Sequence, residues 1–161
     1  MEAKAKLLGN PVHQMLVVFP LGLLAGSVVF DIDYLIRAGA RCGDLAYWCI
    51  LFGLVSGVIA AVFGVLDWSK IPRNTRAQRI GLMHGIGNML VMVLFIISFA
   101  LRAPNPTEPG IAPIILSFLG FALAGVTGWL GGELVDRLGV GVDDGAHVDA
   151  PSSLTHRHTH T

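Results

Sequence analysis

The stretch LAYWCILFGLVSGVIAAVFGVL, Leu45–Leu66, decides the fold: it carries no charged residue. As a helix rising about 1.5 Å per residue it crosses a hydrocarbon core of about 30 Å. Three further apolar stretches of at least that length accompany it, Met15–Ile36, Ile80–Leu101 and Ile111–Val135. Of the 161 residues 53% are hydrophobic and 14% charged, against about a quarter charged in soluble domains. A soluble domain of this size has too little polar surface to cover four such helices. The pattern predicts an all-α integral membrane protein, an antiparallel four-helix transmembrane bundle. The four-span domain covers 1–142. The tail, 143–161, is polar, and its composition predicts disorder.

The formal net charge is zero, so no basic surface points to nucleic acid. Its distribution sets an orientation. Lys4, Lys6, Lys70, Arg73, Arg76, Arg79 and Arg137 fall on the face of the amino terminus, and Arg37, Arg41 and Arg102 on the other. Excess Lys and Arg marks the cytoplasmic side, so both termini are expected in the cytoplasm and the spans in the inner membrane. A cleaved signal peptide fits less well. The first run is longer than a signal h-region, and Asp31, Asp33 and Arg37 precede the Ala38-Gly39-Ala40 site. Cys42 and Cys49, if both helical, lie about 10 Å apart, beyond disulfide reach.

In the first span Asn10 is expected to cap the helix, with Pro11 in its first turn. Pro20 frees a backbone carbonyl one turn below and predicts a kink near His13. The second span carries a small-residue stripe, Gly53, Gly57, Ala60, Ala61 and Gly64, suited to close helix packing. Gly128-x-x-x-Gly132 on the fourth reads the same way. No internal repeat is legible.

Polar groups within spans are costly and mark places to look for function. His13, Asp67, His84, Asn88, Trp129 and Glu133 all gather at the amino-terminal end of the bundle. Two imidazoles from different helices at similar depth are the minimum pair for axial ligation of haem b, or half of a transition-metal site. The first and third spans are diagonal in such a bundle, which suits a cofactor held between them. Gly81, Gly85 and Gly87 are expected to leave room beside His84. Asn88, Asp67 and Glu133 are the candidate orienting partners of the imidazoles. The plain alternative is a polar cluster that hydrogen-bonds to water, loop backbone and loop arginines and binds no cofactor. Asp31 lies about 27 Å along the helix from His13, near the other interface. It reads as a proton or cation site, or as the partner of Arg37, Arg41 or Arg102, the second being preferred.

The end of the chain alternates His156, His158 and His160 with other residues, a spacing that binds Cu(II), Ni(II) or Zn(II) weakly. No nucleophile elbow, phosphate loop, dinucleotide fingerprint or zincin motif occurs, which argues against a conventional enzyme.

Pro11-Val12-His13-Gln14-Met15-Leu16-Val17, then Phe19-Pro20-Leu21-Gly22 and Phe30-Asp31, resembles the opening of a bacterial membrane family, domain-of-unknown-function family 2231. Gly64-x-x-Asp67, Arg79-x-x-x-x-His84-x-x-x-Asn88 and Gly128-Trp129-Leu130-Gly131-Gly132-Glu133-Leu134 with Gly139-Val140-Gly141-Val142 extend the likeness over about residues 9–142. The resemblance implies a four-helix inner-membrane protein and carries over no established activity. Asn10 and Gln14 replace a histidine and a proline of the family's His-Pro-x-His-Pro opening, and Leu138 replaces a histidine before Gly-Val-Gly-Val. These losses weaken a multi-histidine metal site and leave a two-histidine haem site. Three functions therefore stand open: a haem-binding or redox-linked membrane subunit, a non-catalytic accessory protein, and a small proton- or ion-handling protein. The partners expected are the lipid bilayer and a membrane redox partner or a second copy of the chain.

Overall fold

A computed structural model describes residues 1–155; the tract of His156, His158 and His160 lies outside them. Four helical spans, Val12–Arg37, Ala40–Trp68, Arg76–Arg102 and Ile111–Arg137, are long and apolar enough to cross a membrane. The first is broken into α1 (Val12–Leu16) and α2 (Val18–Arg37). The break falls where expected, because Pro20 has no N–H to give the carbonyl of Leu16. Ala38, in the left-handed region at φ 49°, stops α2. The second span is α3 (Ala40–Trp68) and the third α4 (Arg76–Arg102). Helix α4 starts earlier than its apolar stretch because Thr75 Oγ1 caps it, accepting from Gln78 N at 3.1 Å. The fourth span is α5 (Ile111–Gly132), closed by a π turn at Glu133–Arg137.

The amino terminus departs from the expected cap. Lys6–Leu7 (β1) pairs antiparallel with Asn10–Pro11 (β2) around a turn in which Leu8 and Gly9 both have positive φ. That turn type matches the strand twist, and a residue before proline prefers extended backbone. Asn10 is thus a strand residue, and extended Pro11 takes the cap position without a side-chain bond. The strand hairpin lies beside the start of the tail: the Met1 ammonium donates to Gly139 O at 3.0 Å, Gly141 N to Met1 O at 2.9 Å, and Ser153 Oγ to Leu8 O at 2.9 Å. Lys6 Nζ sits 2.8 Å from Glu2 and 3.3 Å from Asp143. The hydrogen bond to Glu2, opposed by partial burial and aided by Asp143, raises its pKa above the ordinary lysine value.

Each helix packs antiparallel on the next, most closely α2 on α3 and α4 on α5, and α2 closes the ring against α5. At mid-depth Leu24, Val28, Ile50, Leu54, Val91 and Phe95 form the core. A regularity absent from the sequence reading appears in this packing. A shift of 71 residues carries buried Pro20, Leu24, Ser27 and Asp31 onto buried Val91, Phe95, Ser98 and Arg102, and His13 onto His84. A shift of 67 carries buried Ala46, Ile50, Gly53 and Ala60 onto buried Pro113, Ser117, Gly120 and Thr127. Contacts repeat too: a Cβ at Gly53 would meet Leu24 at 2.7 Å, and one at Gly120 would meet Phe95 at 2.8 Å.

The protein is therefore two equivalent helical hairpins related by an approximate twofold axis along the bundle, the arrangement of parallel repeats in membrane proteins. The sequence hides the repeat for two reasons. Equivalent positions mostly differ in type (Leu24 and Phe95, Asp31 and Arg102), and the hairpins differ in length between them, 47 residues from His13 to Ala60 against 43 from His84 to Thr127.

The turn of the first hairpin sits tightly under the loop of the second. A Cβ at Gly43 would lie 2.6 Å from Pro106 O and 2.8 Å from Thr107 O, both backbone atoms. Gly43→Ala is expected to destabilise by about 1–3 kcal/mol, as overpacking does, whereas Gly22→Ala, with no atom within 4 Å, leaves thermal unfolding in detergent unchanged.

Candidate functional site

His13 stands in the single turn of α1, directed onto α3 by the break before Pro20. Its Nδ1 lies 2.9 Å from Ala60 O, and its ring fills the space beside Gly64, where a Cβ would come within 2.9 Å of Cε1. His84, on α4, repeats the arrangement against α5. Nδ1 lies 2.8 Å from Thr127 O, and the ring rests on Gly131, where a Cβ would stand 3.2 Å from Cε1. Each ring thus bonds to a carbonyl one turn before a glycine that seats it. A carbonyl only accepts, so both Nδ1 atoms carry the hydrogen.

Asn88 Nδ2 donates to His84 O at 2.9 Å, which identifies its NH2 group, and the same nitrogen lies 3.1 Å from His84 Nε2. Nε2 of His84 therefore accepts, and Thr127 Oγ1 donates to Asn88 Oδ1 at 3.0 Å. Nε2 of His13 has no hydrogen-bond partner among the described residues. An imidazole with Nδ1–H on a backbone carbonyl and a free Nε2 lone pair is the form in which proteins orient a metal or haem ligand. The donor types suit such a group: two imidazoles, each with Nδ1 on a backbone carbonyl, on diagonal spans at the same end of the bundle.

Asp67 and Glu133, expected beside the histidines, have other partners. Asp67 Oδ1 accepts from Lys4 N at 2.7 Å and Ala5 N at 3.4 Å and so ties down the amino-terminal segment. Glu133 accepts from Arg76 Nη2 at 2.7 Å, joining the start of the third span to the end of the fourth. Trp129 is 65% exposed on the outer surface. The expected space beside His84 is also corrected. Gly81 receives the Trp68 ring, 2.7 Å from where its Cβ would be, and Gly87 the Thr127 methyl. Only Gly85 is open, because glycines on a span face the neighbouring helix as readily as a cofactor. Among the described residues no group of three His, Cys, Asp or Glu side chains is placed to hold a metal ion.

The other end of the bundle holds a buried ion pair. Arg102 Nη1 and Nη2 donate to Asp31 Oδ1 and Oδ2 at 2.7 and 2.6 Å, Nε to Ser98 Oγ at 3.2 Å, and Nη2 to Ser117 Oγ at 3.1 Å. Both charged side chains are fully buried. Of the three arginines open to Asp31 the fold selects the one equivalent to it across the twofold axis. Arg37 pairs with Asp33 at 2.9 Å instead.

A family model described as "Predicted membrane protein (DUF2231)" matches residues 9–144. No curated protein and no solved structure matches the chain. The matched range contains all four spans, both histidine seats and the Asp31–Arg102 pair, and the chain belongs to this family of membrane proteins.

Proposed function

We propose that this protein is a b-type haem-binding, redox-linked subunit of the inner membrane, in which His13 and His84 would hold the haem through Nε2. The observation that supports this best is the shared seat of the two rings: the same tautomer, the same carbonyl bond and a glycine at the same offset in both hairpins. A centre with only two protein ligands suits a group that supplies the rest of its own coordination, as haem does, better than a bare transition-metal ion. The haem would supply one-electron chemistry. The chain's part is to orient the imidazoles through Ala60 and Thr127, and to hold the amino-terminal segment in place through Asp67. The first span would contribute one ligand and the third the other, one from each hairpin.

The ion-handling reading finds less support. Asp31 is already engaged by Arg102, and Leu24, Leu54, Val91 and Phe95 separate that pair from the histidine end. The same pair supports the proposed orientation. Arg102 is buried and neutralised, which leaves Arg37 and Arg41 as the exposed cations of the far end. The excess on the histidine end is then larger than the bare count, and we place both termini in the cytoplasm. We place the redox partner on the cytoplasmic side, at the end of the bundle where both histidines lie.

Haem content of protein purified from haem-replete cells, read as the pyridine haemochrome, tests the proposal: one haem per chain is expected, and none rejects it. Gly64→Ala is expected to disturb the haem spectrum more than Gly131→Ala, since its methyl comes nearer to the ring it displaces, 2.9 against 3.2 Å. Equal, unperturbed spectra from both would contradict the seats as described.

A further inference from the structure

We infer that the loop between the second and third spans forms a binding site for the headgroup of an anionic phospholipid, centred on Arg73. The site uses neither histidine and stands apart from the haem reading. Helix α3 ends at Trp68 and α4 starts at Arg76. The turn between them frames a cavity of about 380 Å³ lined by Trp68, Ser69, Ile71, Arg73 and Gln78. Small-molecule clefts have this size, about 300–1,000 Å³. Both helices are membrane spans, so their ends put the cavity at headgroup depth, where tryptophan is a common anchor.

The walls are fixed by bonds within the chain. Trp68 Nε1 donates to Gln78 O at 3.1 Å, and the indole rests on Gly81. Asn74, in the left-handed region at φ 64°, turns the chain so that its N–H reaches Gln78 Oε1 at 2.9 Å. The Thr75 hydroxyl donates to Pro72 O at 2.8 Å while it caps α4. Ile71 is buried and supplies an apolar wall.

Charge selects the ligand. The exposed Arg73 side chain has no hydrogen bond or ion pair among the described residues, and neither do Lys70 and Arg79 on either side of it in sequence. The carboxylates of this end are engaged elsewhere: Asp67 accepts from the Lys4 and Ala5 amides, and Glu133 from Arg76. Gln78 gives its carbonyl oxygen to Asn74, which leaves its NH2 group as a donor. A guanidinium and an amide donor around one cavity, with an indole and an isoleucine beside them, match an amphiphilic anion. The phosphodiester meets the Arg73 fork and the ester region lies against the Trp68 ring.

Brominated lipids, which quench tryptophan on contact, are the probe. The full chain is reconstituted in phosphatidylcholine vesicles with a minor fraction of phosphatidylglycerol, and the bromine is placed near the glycerol end of one lipid or the other. Brominated phosphatidylglycerol is expected to quench more than an equal fraction of brominated phosphatidylcholine, and the excess should vanish in Trp68→Phe. Arg73→Gln is expected to lower the preference for phosphatidylglycerol about fivefold, the share of one cation near an anionic surface. Arg137→Gln removes a cation of the same end outside this cavity and should leave the preference unchanged. No excess, an excess that survives Trp68→Phe, or a preference unchanged in Arg73→Gln would overturn the inference. Equal losses in Arg73→Gln and Arg137→Gln would overturn it too, in favour of diffuse attraction by the charged face. If inorganic phosphate raises the melting temperature of the detergent-solubilised wild type as much as phosphatidylglycerol does, the occupant is a soluble anion and the lipid assignment falls.

Discussion

Asp31→Ala is expected to cost about 3–5 kcal/mol of stability, the effect of leaving one charge of a buried pair without its partner. Arg102 is fully buried, and its remaining acceptors, Ser98 and Ser117, are neutral. They satisfy two N–H groups and compensate no charge. The loss should appear as a lower melting temperature in detergent and a weaker association of the two hairpins, since Asp31 and Arg102 belong to diagonal spans. Asp33→Ala is the contrast. Its pair with Arg37 has side chains 36% and 75% exposed, and its removal is expected to change stability by less than about 1 kcal/mol.

The twofold relation sharpens the test. Asp31→Arg combined with Arg102→Asp should recover most of the loss, because the two positions are equivalent and Ser27 precedes position 31 by one turn as Ser98 precedes 102. The recovery should be incomplete, since Ile50 stands where a counterpart of Ser117 would be. A double variant less stable than either single one would contradict the equivalence of the hairpins.

His13→Ala carries the second large effect. Loss of an orienting partner alone lowers metal affinity by roughly 10–100-fold, and loss of the ligand itself is expected to exceed that. Haem content after purification should fall to background. His84→Ala should keep a larger share of haem, because His13 Nε2 is unopposed while His84 already shares its lone pair with Asn88. The reverse order would mean that Asn88 assists ligation rather than competing with it.

Span number and placement were legible in the sequence because hydrophobic length is a property of consecutive residues. The gathering of His13 and His84 at one end followed from alternating span direction alone. What each ring touches was not legible, because it depends on rotation of α3 and α5 about their axes. Ala60 and Gly64 looked like helix packing and proved to be the seat of His13. Gly87 looked like space for a cofactor and proved to be filled by Thr127. Asp67 and Glu133 sit near interfaces where backbone N–H groups and arginines compete for carboxylates, so their partners depended on how the amino-terminal segment folds back. The choice of Arg102 for Asp31 had no local signal. It comes from the twofold relation, which is carried by the burial and contacts of side chains rather than by their identity.

The two-histidine centre is tested most directly by the visible spectrum of the detergent-solubilised wild type, oxidised and then reduced with dithionite. A Soret band that shifts on reduction, lost in His13→Ala, is the expected result. A featureless spectrum after expression with ample haem would contradict the centre and make His13 and His84 interhelical staples, each tying a helix to a carbonyl of its neighbour.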